Sequence, residues 1–205
     1  MRAPVKLYLA SSNPGKLKEF RVLAENAAPS FSFVELELLP EFPTLPEFEE
    51  SAPTFAENAA GKALHYSRLS EGLVFADDSG LVVSALGGAP GVRSARYAGA
   101  DATNSQRIEK LLREMRDKVR IERSAHFVCA IALARKGRAL AVITDRADGE
   151  ILESPRGAGG FGYDPVFYFP ALRKTFAELS AEEKNRHSHR GKAFRKLLAA
   201  LSSML

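Results

Sequence analysis

The sequence is poor in residues that hold a chain together without a packed core. It has one cysteine, Cys129, so no internal disulfide is open to it, and it has three methionines and no tryptophan. No apolar run approaches the roughly 20 residues that a membrane-spanning helix needs. The opening Met1-Arg2-Ala3-Pro4 leads into an apolar stretch too short for a secretory signal, which points to a cytoplasmic protein. Neither sign of charge dominates: 29 Lys plus Arg stand against 25 Asp plus Glu, a net +4 spread along the chain, which admits an anionic ligand without requiring one. What is present, 205 residues with 45% apolar and 26% charged, is the balance of an ordinary globular protein, and one domain over residues 1–205 is the expectation. A chain of this length buries roughly 70% of the surface its unfolded form exposes, so no structural metal is needed. Cys129, inside Phe127-Val128-Cys129-Ala130-Ile131, reads as a small hydrophobe.

Apolar periodicity gives an α/β order. Val5 to Ala10 has strand length, and Leu17, Phe20 and Ala24 follow at helical spacing. Phe31 to Leu38 alternates as a second strand, and Pro40 to Pro53, with four prolines and four glutamates, bars regular structure. Thr54-Phe55-Ala56-Glu57 opens a helix to about Ser70 whose alanine face (Ala56, Ala59, Ala60, Ala63) allows close packing. Leu73 to Ala76 reads as a buried strand ending at Asp77-Asp78, and Leu81 to Leu86 as another, closed by Gly87-Gly88. Ile108, Leu111, Leu112 and Met115 mark an amphipathic helix with a solvated charged face. Ala125 to Ala134 and Ala139 to Thr144 form a hairpin around Lys136-Gly137-Arg138, which makes the sheet mixed. Ser180 opens a further helix, and Phe194, Leu197, Leu198 and Leu201 define a last one beginning near Ser188.

Four segments could carry chemistry. Ser11-Ser12-Asn13-Pro14-Gly15-Lys16 joins the first strand to the first helix, where backbone N–H groups and a lysine attract phosphate; taken alone, such a segment is more often a capped helix start with a surface lysine. It is not a Walker A loop, because Ala10 stands at the leading glycine and Leu17 replaces the Ser/Thr. Asp77-Asp78-Ser79-Gly80 sets two carboxylates at an apolar strand end, where a hard cation such as Mg²⁺ relieves their repulsion; an Asx turn is the alternative. Glu49, Glu50 and Glu57 lie upstream as further ligands, or as a solvated loop and a helix cap.

Gly157 to Pro165 holds four glycines that let backbone approach a ligand, with Phe161 placed to stack on a base; otherwise it is a glycine turn whose aromatics fold into the core. Lys184 to Lys192 is dense in hydrogen-bond donors, and a plain basic helix end explains part of it. His187 and His189 at i, i+2 share no helical face, which argues against zinc.

Taken in order, Ser-x-Asn-x-x-Lys, Glu-Asn-Ala, Asp-Asp-Ser-Gly-Leu, Pro-Gly-Val-Arg-Ser-Ala-Arg-Tyr, Gly-Phe-Gly-Tyr-Asp-Pro and Ser-His-Arg-Gly resemble the inosine triphosphate pyrophosphatase (Ham1-like) family from Ala10 to Lys192. The resemblance implies a two-lobed α/β fold with a long mixed sheet flanked by helices, a deep cleft between lobes, and a homodimer. It implies Mg²⁺-dependent hydrolysis of ITP, dITP and XTP to the monophosphate and pyrophosphate, with no membrane or nucleic-acid partner. By position, Ser11, Ser12, Asn13, Pro14, Gly15 and Lys16 become the phosphate loop and Glu49 and Asp78 the metal ligands, Asp78 being also the proton acceptor. Ser79, Phe161, Gly162, Tyr163, Asp164, Lys184, His189 and Arg190 become nucleotide contacts. Donors among Lys184, His189 and Arg190 would meet the C6 keto oxygen of inosine and xanthine and oppose the adenine amino group. The alternatives are a Maf-like pyrophosphatase for modified pyrimidine nucleotides and, from another class, a nucleic-acid-binding module.

Overall fold

The computed structural model describes residues 5–27, 31 and 33–204; the leader reading of Met1–Pro4, and Ser32 within the second strand, lie outside the described residues. The strands are β1 Val5–Leu9, β2 Val34–Leu38, β3 Leu73–Val83, β4 Ser124–Arg135, β5 Arg138–Ile151, β6 Phe167–Phe169 and β7 Lys174–Thr175. The helices are α1 Pro14–Glu25, α2 Phe55–Ser67, α3 Asn104–Glu114, α4 Ala181–His187 and α5 His189–Met204. The strands form one mixed sheet in the order β2-β1-β3-β4-β5-β6-β7, parallel at β1–β2 and β1–β3 and antiparallel at β5–β6 and β6–β7. The expected α/β class with a mixed sheet is what the chain adopts.

The chain divides into two compact units, one built from residues up to Asp78 with Cys129–Asp145 and the segment from Arg190, the other from Ser79–Val128 and Arg146–His189. In the first unit both faces of the sheet are covered. Cys129, Ile131 and Leu133 of β4 pack with Phe20 and Leu23 of α1 and with Phe194, Leu197, Leu198 and Leu201 of α5. The intervening Ala130, Ala132 and Ala134 pack with Ala59, Ala63 and Tyr66 of α2. The period-2 alternation of a strand thus sorts large residues to one side and alanines to the other, and the small side is what lets the alanine face of α2 come close. Cys129 is a free, buried thiol whose pKa burial pushes up, as its apolar setting implied.

In the second unit Ile108 and Leu111 of α3, with Met115 at its C-cap, pack with Leu81, Val83, Phe127, Ile151, Phe167 and Phe176. The charged face of α3 is less solvated than its pattern suggested, because Lys110 donates to the Tyr97 carbonyl at 2.7 Å and lies 4.3 Å from that ring's centre.

The strand does not stop at Ala76 and resume at Leu81; β3 runs unbroken through Asp77, Asp78, Ser79 and Gly80 to Val83. Its parallel partner β1 reaches only the Leu9–Phe75 register, after which the Ala10 N–H bonds the Phe75 carbonyl at 2.9 Å. The two acids therefore lie inside a strand but just past the end of the parallel pair, where strand-end ligands are found in α/β sheets.

Candidate functional site

Strand geometry decides what the adjacent acids meet. Phe75 belongs to the α1/α5 side of the sheet and Ala76 to the α2 side, so Asp77 continues toward α1 and α5 and Asp78 toward α2. Asp77 is fully buried; Lys16 Nζ lies 3.0 Å from its Oδ2 and 3.3 Å from its carbonyl, and Arg190 Nε is 3.6 Å from Oδ2. Burial alone would raise the Asp77 pKa, yet Lys16, Arg190 and Lys62 outweigh it and hold the carboxyl below its ordinary range. Arg190, at the start of α5, also pairs with Glu19 of α1 and lies over the Phe20 ring. Two cations and two anions thus form one buried, balanced group.

Asp78 is 6% exposed and sits in the opposite regime. Burial, then the negative charge of Glu50, push its carboxyl up to about 6, against the pull of Lys16 and of a hydrogen bond from Asn58. That bond runs from Asn58 Nδ2 to Asp78 Oδ2 at 3.0 Å, and the same amide holds both the N–H (2.9 Å) and the carbonyl (3.3 Å) of Ala52. Lys62, one turn along α2, pairs with Glu50 at 2.6 Å. Burial opposes the Lys62 charge, and Glu50, Asp77 and Asp78 more than restore it, so its pKa is raised.

The acid acting on Asp78 is Glu50, while the neighbouring Glu49 is exposed. Glu57 is a helix cap: the Thr54 hydroxyl accepts its N–H at 3.2 Å and donates to its carboxylate at 2.7 Å. Among the described residues no group of three or more His, Cys, Asp or Glu side chains gathers at one point. Asp78, whose pKa the Glu50 charge helps to raise, and Glu50 itself fit a hard cation that takes its remaining oxygens from phosphate and water.

The expected phosphate loop is built differently from a bare amide cradle. Asn13 caps α1, its Oδ1 accepting the N–H groups of Gly15 at 2.9 Å and Lys16 at 3.2 Å, and the Asn13 N–H goes to Ser11 Oγ at 3.3 Å. Pro14 occupies the first turn of the helix, and Ser12 and Asn13 are exposed. What the loop offers an anion is the Lys16 ammonium.

The second cluster lies wholly in the other unit. Asp164 Oδ2 accepts the Phe161 N–H at 2.8 Å and pairs with Lys184 Nζ. A Cβ on Gly160, which has φ +70°, would lie 2.1 Å from the same oxygen, so only glycine lets the loop close over this carboxylate. Lys184 is 6% exposed and sits 5.0 Å from the Phe161 ring centre. His189 stacks on Phe127 with ring centres 4.7 Å apart and planes 10° from parallel.

Phe161 and Gly162 are half-buried, whereas Tyr163 is folded into the core and its hydroxyl donates to the Ser94 carbonyl at 2.9 Å. Tyr163 therefore cannot present its ring to a base, unlike Phe161. Ser79 is half-buried in β3. Lys184 and His189 belong to this cluster, and Arg190, next in the chain, belongs by its contacts to the first.

A family model described as the Ham1 family matches residues 7–200. The chain belongs to the Ham1 family. As a Ham1 chain it is 51% identical over 192 residues to the dITP/XTP pyrophosphatase of Geobacillus kaustophilus, covering 94% of this chain and 92% of that one. It is 47% identical to the dITP/XTP pyrophosphatase of Desulfotalea psychrophila over 94% of this chain and 83% of that one. A solved HAM1 protein from Coxiella burnetii superposes with TM-score 0.84 at 41% identity, covering 97% of this chain and 99% of that one.

Two residues that meet Asp78 and Glu50 are not among the expected site residues. Asn58 lies in the Glu-Asn-Ala segment, and Lys62 stands four residues on; that i, i+4 spacing put both on the face of α2 that meets Asp78 and Glu50.

Proposed function

We propose that this Ham1-family chain hydrolyses ITP, dITP and XTP at the α-phosphorus, releasing the nucleoside monophosphate and pyrophosphate. The observation that carries the reading is the pair Asp77 and Asp78, adjacent buried acids of which one is held ionised by cations and the other is brought up to about 6. Relatives named dITP/XTP pyrophosphatases, at 51% and 47% identity over nearly the whole chain, support the substrate class.

Asp78 is the proton acceptor. A carboxyl with a pKa about 6 is mostly ionised at neutral pH yet more basic than an ordinary aspartate, which suits it to take a proton from water. An oxygen–phosphorus bond forms between that water and the α-phosphorus, the bond from the α-phosphorus to its bridging oxygen breaks, and pyrophosphate departs with the electron pair. The water's proton passes to Asp78. Lys16, fixed by Asp77 with its side chain 14% exposed, opposes the charge on the phosphate oxygens from a position already withdrawn from bulk water. Asn58 keeps the Asp78 carboxylate aimed. Asp78, with one acid of the Glu49–Glu50 pair, would hold Mg²⁺, which would neutralise part of the triphosphate charge.

The purine falls to Phe161, Gly162, Asp164, Lys184 and His189, with Ser79 beside the acids. Arg190 is a donor toward the purine C6 oxygen that also holds Glu19 and Asp77. A keto oxygen accepts from such donors and an adenine amino group leaves them opposed, so ATP is the poor substrate. The enzyme works in the cytoplasm as a homodimer. Among the described residues no helix is long and apolar enough to cross a membrane.

The test is to incubate the protein with Mg²⁺ and ITP, XTP, GTP or ATP and to separate pyrophosphate from orthophosphate. Pyrophosphate from ITP and XTP, lost in Asp78→Asn with the fold intact, is expected. Orthophosphate as first product, or normal turnover in Asp78→Asn, overturns the reading.

A further inference from the structure

The Pro-Gly-Val-Arg-Ser-Ala-Arg-Tyr segment has no part in the chemistry above, yet it contains a residue with an unusual position. Of the 3₁₀ stretch Gly91–Arg96 only Ser94 is buried, at 7% exposure. Its Oγ accepts the Leu81 N–H at 2.9 Å and donates to the Gly91 carbonyl at 2.7 Å. Its own backbone carbonyl accepts the Tyr163 hydroxyl at 2.9 Å.

Both ends of this link are tight. On the strand side, a Cβ on Gly80 would lie 2.3 Å from Ser94 Oγ and 2.7 Å from the Gly91 carbonyl, so β3 and the 3₁₀ stretch touch with no room for a side chain. On the loop side, Tyr163 is 3% exposed, and burial pushes its hydroxyl pKa up, so it stays a protonated donor. Leu81 is two residues from Ser79, and Tyr163 lies between Gly162 and Asp164. All these groups belong to the second unit.

We propose that Ser94 is a positioning residue for the reaction: it ties Ser79–Leu81 of β3 to the Phe161–Asp164 loop, fixing the spacing between that stretch of β3 and the purine contacts. The inference rests on the proposed pyrophosphatase reading. Ser94 touches neither substrate nor reacting atoms; it acts through the main chain at one end and through Tyr163 at the other. A displacement of about 1 Å in groups that hold a substrate can cost on the order of 100-fold in rate, so a link of this kind bears on turnover as well as on folding.

Ser94→Ala, Tyr163→Phe and the double variant are measured at 25 °C, each with its melting temperature, for kcat and KM on ITP and for the ITP over ATP preference. Tyr163→Phe keeps the buried ring and removes the loop's bond to Ser94, so KM for ITP rises by about threefold or more, kcat stays within about twofold, and the preference narrows. Ser94→Ala lowers kcat/KM by about tenfold or more with kcat sharing the loss, because the Leu81 N–H and the Gly91 carbonyl lose their shared partner. The double variant stays within about twofold of Ser94→Ala, since both cut one tether.

Lowered melting temperatures with kcat, KM and preference unchanged overturn the proposal and leave Ser94 a packing residue. Losses that multiply in the double variant also overturn it. If Ser94→Ala does not fold, Tyr163→Phe decides alone, an unchanged KM and preference overturning the proposal. A wild-type protein that releases no pyrophosphate from ITP or XTP defeats the functional reading and the proposal together.

Discussion

Replacing Asp78 by asparagine should stop turnover and yet make the metal-free protein more stable. In the fold, burial and then Glu50 push this carboxyl from 3.8 to about 6, and Lys16 and Asn58 only partly offset them. A folded-state pKa above the unfolded value means that the native state binds the proton more tightly, so the ionised acid opposes folding. The penalty is fully present above pH about 6, shrinks as the pH falls, and is gone below the unfolded value of 3.8. About two pKa units at ~1.4 kcal/mol each set it near 3 kcal/mol at pH 7.5.

Asparagine has nearly the same shape, and its amide oxygen can keep the bond that Asn58 now makes at 3.0 Å. For a chain of this size ~2–4 °C per kcal/mol translates the gain into a melting temperature raised by roughly 6–12 °C. Thermal unfolding of both proteins in EDTA, stepped from pH 7.5 to 4.5, reads it directly, and the gap should close toward acid as the wild type takes up the proton. Adding Mg²⁺ at pH 7.5 should then stabilise the wild type more than the variant, because binding to the native state alone shifts its unfolding. An Asp78→Asn protein no more stable than wild type at pH 7.5, or a gap that widens in acid, refutes the reasoning.

Asp164→Asn strips the counter-charge from Lys184 at a site where the two residues are 2% and 6% exposed; breaking a buried pair of this kind costs about 3–5 kcal/mol, read by urea unfolding, and a loss under about 1 kcal/mol refutes it. Asn58→Ala removes the hydrogen bond that lowers the Asp78 pKa, so the acid limb of the kcat/KM profile should move to higher pH, and an unmoved limb shows that Asn58 does not tune the acid. Arg190→Ala should raise KM for ITP and narrow the ITP over ATP preference, while also costing stability because Glu19 and Asp77 lose a shared cation. An unchanged preference with lowered stability would leave Arg190 as a counter-ion alone.

Much of the frame was legible because it rests on periodicity. The i, i+3, i+4, i+7 set from Ile108 to Met115 spans α3 and its C-cap, the alanine face from Ala56 lies in α2, and the Lys136-Gly137 turn joins β4 to β5. The partners of the site residues were not legible, because they are set by contacts between distant segments. Nothing local to Asn13 says whether its side chain or a ligand takes the Gly15 and Lys16 N–H groups, and Asn13 takes them. Nothing local to Tyr163 says that its hydroxyl goes to Ser94, 69 residues away, so a ring that looks available for stacking is a buried anchor. Phe161, two residues earlier, remains half-buried beside Lys184.

The hardest feature to read was the one on which the chemistry turns. Two adjacent carboxylates look like a repelling pair that must share a cation or sit in a turn, and that inference assumes they face each other. Once β3 is extended through them, alternation sends Asp77 to the side of Lys16 and Arg190 and Asp78 to the side of Asn58 and Glu50. The repulsion between them then ranks last among the main influences on Asp78, below burial, Glu50, Lys16 and Asn58. One acid becomes a permanent anion that anchors the cations, and the other is left basic enough to take a proton. A turn at this point could place both carboxylates in one environment, and the opposite pKa shifts would not arise; the continuous strand is therefore what divides the labour between two identical side chains.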